Sequence, residues 1–218
     1  DGVLHIRYKA GKDGAKQETV RSRLIIGADG AASRVRQQML PKAKEFRHVY
    51  AYHEIVESPD GPTDKFDPLR CDVYYQGTIS PDFYGWVFPH GESASVGMGT
   101  EISSVNLKDA TAALREASGL AHCETLRKEG APIPLRPLDC WDNGRDVLLA
   151  GDAAGVVAPS SGEGIYYAMV GGRVAATACA DFTALRPARA TVAPARWIAS
   201  IQQYWDISGW NRPLTTKI

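Results

Sequence analysis

The chain has 218 residues, 25 of them basic and 25 acidic, for a formal charge of zero. That length gives one or two modest domains with a real core, and the charge balance excludes the basic surplus on which nucleic-acid binding depends. No apolar run approaches the roughly 18 residues of a membrane span, and the four cysteines, Cys71, Cys123, Cys140 and Cys179, show neither a CxxC pair nor zinc-like spacing.

The cysteines read as reduced thiols of a cytoplasmic protein, and any membrane contact is expected to be peripheral. Val3 to Tyr8 alternates as a strand, Gly11 to Gly14 is a turn-rich break, and Glu18 to Ile26 returns as a second strand, which predicts a β-hairpin. LIIGADGAASRVRQQM then reads as strand, glycine turn and helix. Gly27 and Gly30 let the backbone tighten, Asp29 offers a carboxylate, and Arg34 and Arg36, one helical turn on, suit phosphate pairing. A surface helix with solvated arginines accounts for the same residues equally well.

From about Phe46 to Asp146 the pattern changes to short strands with turn signals at Asp60 to Pro62, Gly77 and Gly91, which predicts an antiparallel sheet. Tyr84, Trp86 and Phe88 alternate, so in a strand they share one face. By pattern alone that face is core against a second layer. His90 reads as an ordinary loop histidine; His5, His48, His53 and His122 form no ligand spacing, and no metal is expected. Asn106 to Ser118 and His122 to Glu129 read as two short helices closed by Gly119 and Gly130. Pro132, Pro134 and Pro137 favour an extended crossing, and Asn143 with Gly144 turns the chain into a buried strand, Val147 to Ala150.

That strand opens VLLAGDAAGVVAPSSGEGIYYAMVGGR. Gly151 permits close approach of a ligand to the backbone, and Asp152 stands at the carboxyl end of the strand, where open α/β sheets gather ligands. Gly155 leaves room for a phosphate or chain to pass. Pro159, Ser160 and Ser161 end the strand geometry, and Gly162, Glu163 and Gly164 lead into a helix with apolar positions at Ile165, Ala168, Met169, Gly172, Ala176 and Cys179. GDAAG alone is explained by a tight strand-to-helix turn. The clustered glycines, the acid and the helix start together favour cofactor binding, since packing prefers larger side chains. After Ala180, prolines at Pro187, Pro194 and Pro213 interrupt the chain, although Trp197, Ile198, Ile201, Tyr204 and Trp205 could form one amphipathic helix, packed on its own protein or docked on a membrane surface.

GADGAASRVR and GDAAGVVAPSSGEGIYYAMVGGR resemble the two motifs of the hydroxylase-like flavoproteins, and with YGWVFP the chain from roughly Glu18 to Ala180 resembles the geranylgeranyl reductases most closely. The resemblance implies an α/β fold, α+β overall: a hydroxylase-like FAD/NAD(P)-binding domain with an inserted antiparallel β-sheet substrate domain. The corresponding division is 1–45 with the first motif, 46–146 as the substrate domain, 147–181 with the second motif, and 182–218 as a tail. It further implies that Gly27, Asp29, Gly30, Arg34, Gly151, Asp152, Gly155, Pro159, Gly162, Glu163, Gly164 and Ile165 bind FAD, with Asp152 on the ribityl chain and Pro159 to Ile165 along the isoalloxazine. Tyr84, Trp86, Phe88 and Pro89 would line a prenyl-substrate cavity. The implied reaction is reduction of geranylgeranyl double bonds to phytyl, on a (bacterio)chlorophyll ester or the diphosphate, with NADPH as reductant. Tyr84 and His90 are the proton-donor candidates by location in the motif. Such proteins open with a GxGxxG unit; here the nearest sequence, Gly97 and Gly99, has Ile102 where the third glycine belongs. A missing N-terminal segment of the same protein is therefore expected, along with peripheral contact at the photosynthetic membrane. The rival readings are a flavin-dependent aromatic hydroxylase, which YGWVFP argues against, and a non-catalytic prenyl- or partner-binding fragment.

Overall fold

The computed structural model describes residues 3–10, 16–40 and 47–184. The tail helix expected around 197–205 lies outside them. In chain order the elements are β1 (Leu4–Ala10), β2 (Lys16–Ser22), β3 (Ile25–Gly27), α1 (Arg34–Met39), β4 (His48–Glu57), β5 (Asp72–Tyr74) and β6 (Gly85–His90). They continue with β7 (Ser93–Thr100), α2 (Leu107–Ala117), β8 (Thr125–Pro134), β9 (Val147–Leu149), a 3-10 turn over Gly151–Ala154, and α3 (Ile165–Ala184). Among the described residues two compact units result: 3–10, 16–40, 137–158 and 163–184 form the first, and Arg47–Arg136 with Pro159–Gly162 the second. Residues 137–146 thus go with the first unit and 159–162 with the second, where the sequence reading drew its lines at 146 and 181.

In the first unit β1 and β2 form the expected antiparallel hairpin, Leu4 opposite Ser22 and Ala10 opposite Lys16. The second strand does not run on to Ile26. The Ser22 hydroxyl donates to the Leu24 carbonyl and accepts from the Leu24 amide at 3.3 Å, a local side-chain bond that competes with the ladder. The chain turns there, and β3 leaves the hairpin to pair in parallel with β9, Ile25 against Val147 and Gly27 against Leu149. The core of this unit gathers Leu40, Trp141, Leu149 and Ala175, and the Trp141 indole donates to the Leu138 carbonyl at 2.6 Å.

The helix after the second motif is α3, and its packed face is the expected one only in part: Cys179 packs on the core and Ala168 lies against the 3-10 turn. Ile165 is 78% and Met169 71% exposed, and Ala176 is exposed too, whereas Gly171 and Ala175 are buried and Tyr167, Val174, Ala178 and Cys179 pack on the core. The helix is apolar around most of its circumference, so periodicity alone selects no face. Small residues select it instead: a Cβ on Gly151 would come within 3.3 Å of the Ala168 Cβ, a close approach of helix to 3-10 turn.

The second unit is the expected antiparallel sheet, in the order β5-β6-β7-β4-β8. Asn106 caps α2, its side chain accepting from the Lys108 and Asp109 amides. The helix buries Leu114 against Val56, Val87, Val96 and Met98 on one face of the sheet. The helix expected over His122 to Glu129 is absent: β8 begins at Thr125 and pairs with β4, Arg127 opposite Ile55 and Pro134 opposite His48. Pro132 and Pro134 hold the residues before them extended, and β8 lies at the sheet edge, where a missing amide is tolerated. Glu54 and Arg115 tie sheet to helix at 2.5 Å, both side chains nearly buried. Burial by itself would raise the Glu54 carboxyl, but hydrogen bonds from Tyr52 and Arg115 and the Lys128 charge carry it below the ordinary carboxylate range. The Tyr52 phenol is pushed up to about 12 by burial and by its hydrogen bond to Glu54.

Candidate functional site

In the first unit β3 and β9 end side by side, and the Ala150 amide donates to the Gly27 carbonyl at 2.9 Å. Both glycine motifs therefore leave from the carboxyl edge of one parallel pair, the edge where ligands of α/β sheets collect. The residues expected to bind a cofactor divide by what surrounds them. A Cβ on Gly27 would lie 2.8 Å from both Leu149 and Val35, so Gly27 serves packing and leaves no room for a ligand. Gly30, at φ +79°, makes the turn, with open space around it. Asp29 spends both oxygens on the protein, accepting from the Ser33 hydroxyl at 2.5 Å and from the Arg34 and Val35 amides at 2.7 and 3.1 Å. Burial raises its carboxyl, these bonds outweigh that and lower it, and Asp29 holds the first turn of α1 together with the N-cap Ser33, its oxygens already engaged. Arg34 is exposed; Arg36, expected beside it, is buried.

The second motif differs. Gly151 and Gly155 take φ of +60° and +74°, which only glycine adopts without strain, and they bracket the 3-10 turn carrying Asp152. Asp152 is half-buried, burial pushes its carboxyl above the ordinary range, and among the described residues no hydrogen bond offsets the shift. A Cβ on Gly164 would come within 3.2 Å of its Oδ1, so a glycine is what leaves that oxygen clear. A desolvated acceptor without a donor suits a ligand that brings hydroxyl donors. Pro159 is half-buried, Glu163 is exposed while its carbonyl accepts from the Ala158 amide at 2.8 Å, and Ile165 is exposed at the start of α3.

In the second unit the register puts Trp86 opposite Gly97 and Gly97 opposite His53, which in turn faces Glu129, all on the side away from α2. Tyr84, Trp86 and Phe88 share that side as expected, with ring centroids 6.0 and 6.3 Å apart. The Trp86 indole lies across Gly97, where a Cβ would come within 2.6 Å of it. Val73 and Tyr75 beside the wall are 44% and 74% exposed. Pro89 pairs with Ala94, a core residue, and falls on the side of Val87, so it faces α2 and leaves the wall to the other three. His90 sits exposed at the hairpin end beside Gly91.

The sequence reading noted of His53 only that it forms no ligand spacing. Its Nδ1 lies 2.8 Å from Ser95 Oγ and its Nε2 3.0 Å from Glu129, Ser95 also accepts the Trp86 indole N–H at 3.1 Å, and Arg127 braces Glu129 at 2.9 Å. The imidazole is thus held at both ring nitrogens, and the Ser95 hydroxyl can turn to donate to Nδ1 or accept from it. The alternation of Ala51, His53 and Ile55 along β4 was the available signal, but the partners come from β7 and β8. The Tyr84 hydroxyl donates to the Ser161 carbonyl, and burial pushes its phenol up. Phe83 stacks on Tyr84 at 4.3 Å and lies against Gly162.

The FAD binding domain family matches residues 4–182. The chain is 61% identical over 180 residues to the geranylgeranyl diphosphate reductase of Rhodobacter capsulatus, covering 83% of this chain and 44% of that protein. It is 40% identical over 176 residues to the chloroplastic geranylgeranyl diphosphate reductase of Oryza sativa, covering 80% and 37%. The chain thus spans less than half the length of these relatives. Among solved structures it resembles a geranylgeranyl bacteriochlorophyll reductase-like protein from Thermoplasma acidophilum, with a TM-score of 0.69 at 23% identity over 87% of this chain and 48% of that one. It also resembles the flavin-dependent halogenase CmlS, with a TM-score of 0.60 at 19% identity over 94% and 38%. At those identities the likeness is one of fold.

Proposed function

From a chain that belongs to the FAD-binding domain family, we propose the flavin- and prenyl-binding part of a geranylgeranyl reductase, which reduces isolated double bonds of a geranylgeranyl group toward phytyl with NADPH as reductant. The observation that carries the reading is the aromatic wall of Tyr84, Trp86 and Phe88 in a chain 61% identical to a named geranylgeranyl diphosphate reductase. A prenyl tail offers no hydrogen bonds, and an aromatic face on Gly97 holds it by contact area and excludes water.

FAD fits the first unit through Asp152. Ribityl hydroxyls would supply the donors its carboxylate lacks, at the oxygen that Gly164 leaves clear. Pro159, Gly162, Glu163, Gly164 and Ile165 would hold the isoalloxazine, and the positive end of α3 would favour negative charge on it. Gly30 and Arg34 would serve the phosphate side, Arg34 as the exposed cation. When bound, the flavin supplies the hydride chemistry. The protein must supply the proton, and His53 between Ser95 and Glu129 is the group on the wall built to hold one. The exposed Leu69, Val73 and Tyr75 support a peripheral contact with the membrane that dissolves the substrate.

The test uses the full reading frame that encodes this chain: bound flavin by absorbance, then anaerobic turnover with NADPH and a geranylgeranylated bacteriochlorophyll. A mass gain of two hydrogens per step is expected. Flavin with no mass gain but oxygen-dependent NADPH oxidation on an aromatic substrate makes it a hydroxylase; absence of flavin leaves the binding-module reading.

A further inference from the structure

The second unit contains four residues from far along the chain, Pro159–Gly162, which join the sheet residues and not the helix that follows them. Three features hold this short loop. Its base is closed by the Ala158 amide donating to the Glu163 carbonyl at 2.8 Å. Gly162 stands at φ +69° with the Phe83 ring 3.1 Å and Ile133 3.6 Å from where a Cβ would be, so the chain presses backbone against side chains. The Tyr84 hydroxyl donates to the Ser161 carbonyl. The same Tyr84 ring stacks on Phe83 at 4.3 Å and meets the Trp86 ring at 6.0 Å.

A phenol that donates to a loop carbonyl is not aimed at a substrate carbon, and a half-buried donor gives up such a partner only at a cost. We infer that Tyr84 is a positioning residue: its hydroxyl latches the Pro159–Gly162 loop to the aromatic wall and is not the proton source. The inference rests on the flavin reading for what the loop contacts, since that loop precedes the N-terminus of α3; the latch itself rests only on the contacts within the second unit. It gives the wall two jobs. The ring of Tyr84 packs with Phe83 and Trp86 in the wall proposed to meet an apolar chain, and its hydroxyl sets the backbone that leads into the cofactor motif. Wall and loop thereby become one element, so that a shift of Tyr84 is transmitted as a shift of Ser161.

The experiment compares wild type and Tyr84→Phe in the full-length protein by hydrogen exchange of the peptide spanning Ser160 to Gly164, by flavin titration, and by the pH dependence of turnover at saturating flavin. A latch predicts exchange of that peptide at least tenfold faster, flavin bound several-fold more weakly, and a pH profile of unchanged shape. Gly162→Ala, which crowds Phe83 while keeping the phenol, is expected to loosen the same peptide. Unchanged exchange in Tyr84→Phe overturns the inference. So does loss of turnover with flavin bound and the alkaline limb of the profile removed, which would make Tyr84 the acid. The exchange arm needs no flavin, so a protein that binds none refutes the flavin reading and still decides the latch.

Discussion

Asp152 loses hydration at the end of β9, and among the described residues its carboxylate gains no hydrogen bond in return. Its carboxyl is raised in the fold, so above the unfolded carboxyl range the ionised form weakens the fold, and protonation relieves this. Hydroxyls that donate to the ionised carboxylate reverse the balance. Flavin affinity is therefore expected to fall as pH drops through a range above that of an ordinary carboxyl. Asp152→Asn should lower affinity roughly tenfold, the loss of one hydrogen bond to a charged acceptor, and flatten that dependence in a fluorescence titration. At His53 the charged neighbours are Glu129 and, through it, Arg127, with Ser95 and Trp86 on the other side. Glu129→Gln removes the carboxylate that holds His53 Nε2 on the wall. Turnover near neutral pH should drop by about a hundredfold while the apparent affinity for a prenyl substrate holds, as read from separate kcat and KM. An equal change in both would return His53 to a structural role.

Elements were legible where local chemistry determines them. Asn106 announces α2 because its side chain caps the first turn whatever lies around it, and the glycine turns after β3 and β9 declare themselves because their backbones exclude other residues. β8 was not legible: nothing local in His122 to Glu129 opposes a helix, and the strand is decided by pairing with β4. The working face of α3 and the filling of Gly27 were hidden for a related reason, since both depend on which small surfaces meet. The Glu54–Arg115 link between β4 and α2 is of this non-local kind, 61 positions apart in sequence. Glu54→Ala leaves the nearly buried Arg115 without its counter-charge, and a loss of about 3 kcal/mol is expected in denaturant unfolding. The Glu54 carboxyl is lowered in the fold, so its contribution is complete above the ordinary carboxylate range and lost as pH falls through the lowered one. The mutant should lose that part of the acid dependence.

At the scale of the whole molecule, two compact units divide the chemistry. Asp152, the acceptor proposed for a cofactor, lies in the first and the aromatic wall in the second, each supported by its own core. Separate cores predict separable effects: Asp152→Asn should change flavin affinity and leave prenyl affinity alone. Trp86→Phe, which keeps an aromatic over Gly97 but gives up the bond to Ser95, should weaken prenyl binding several-fold and leave flavin affinity alone. Tyr84→Phe is the exception the latch requires, because Tyr84 belongs to the wall through its ring and to the loop through its hydroxyl. Paired titrations of flavin and a prenyl analogue on the three variants check this: the first two should each move one affinity, and Tyr84→Phe should move the flavin affinity from a position just ahead of β6. If Trp86→Phe moved it equally, any disturbance of the wall would be enough, and the hydroxyl of Tyr84 would have no special part in holding the loop.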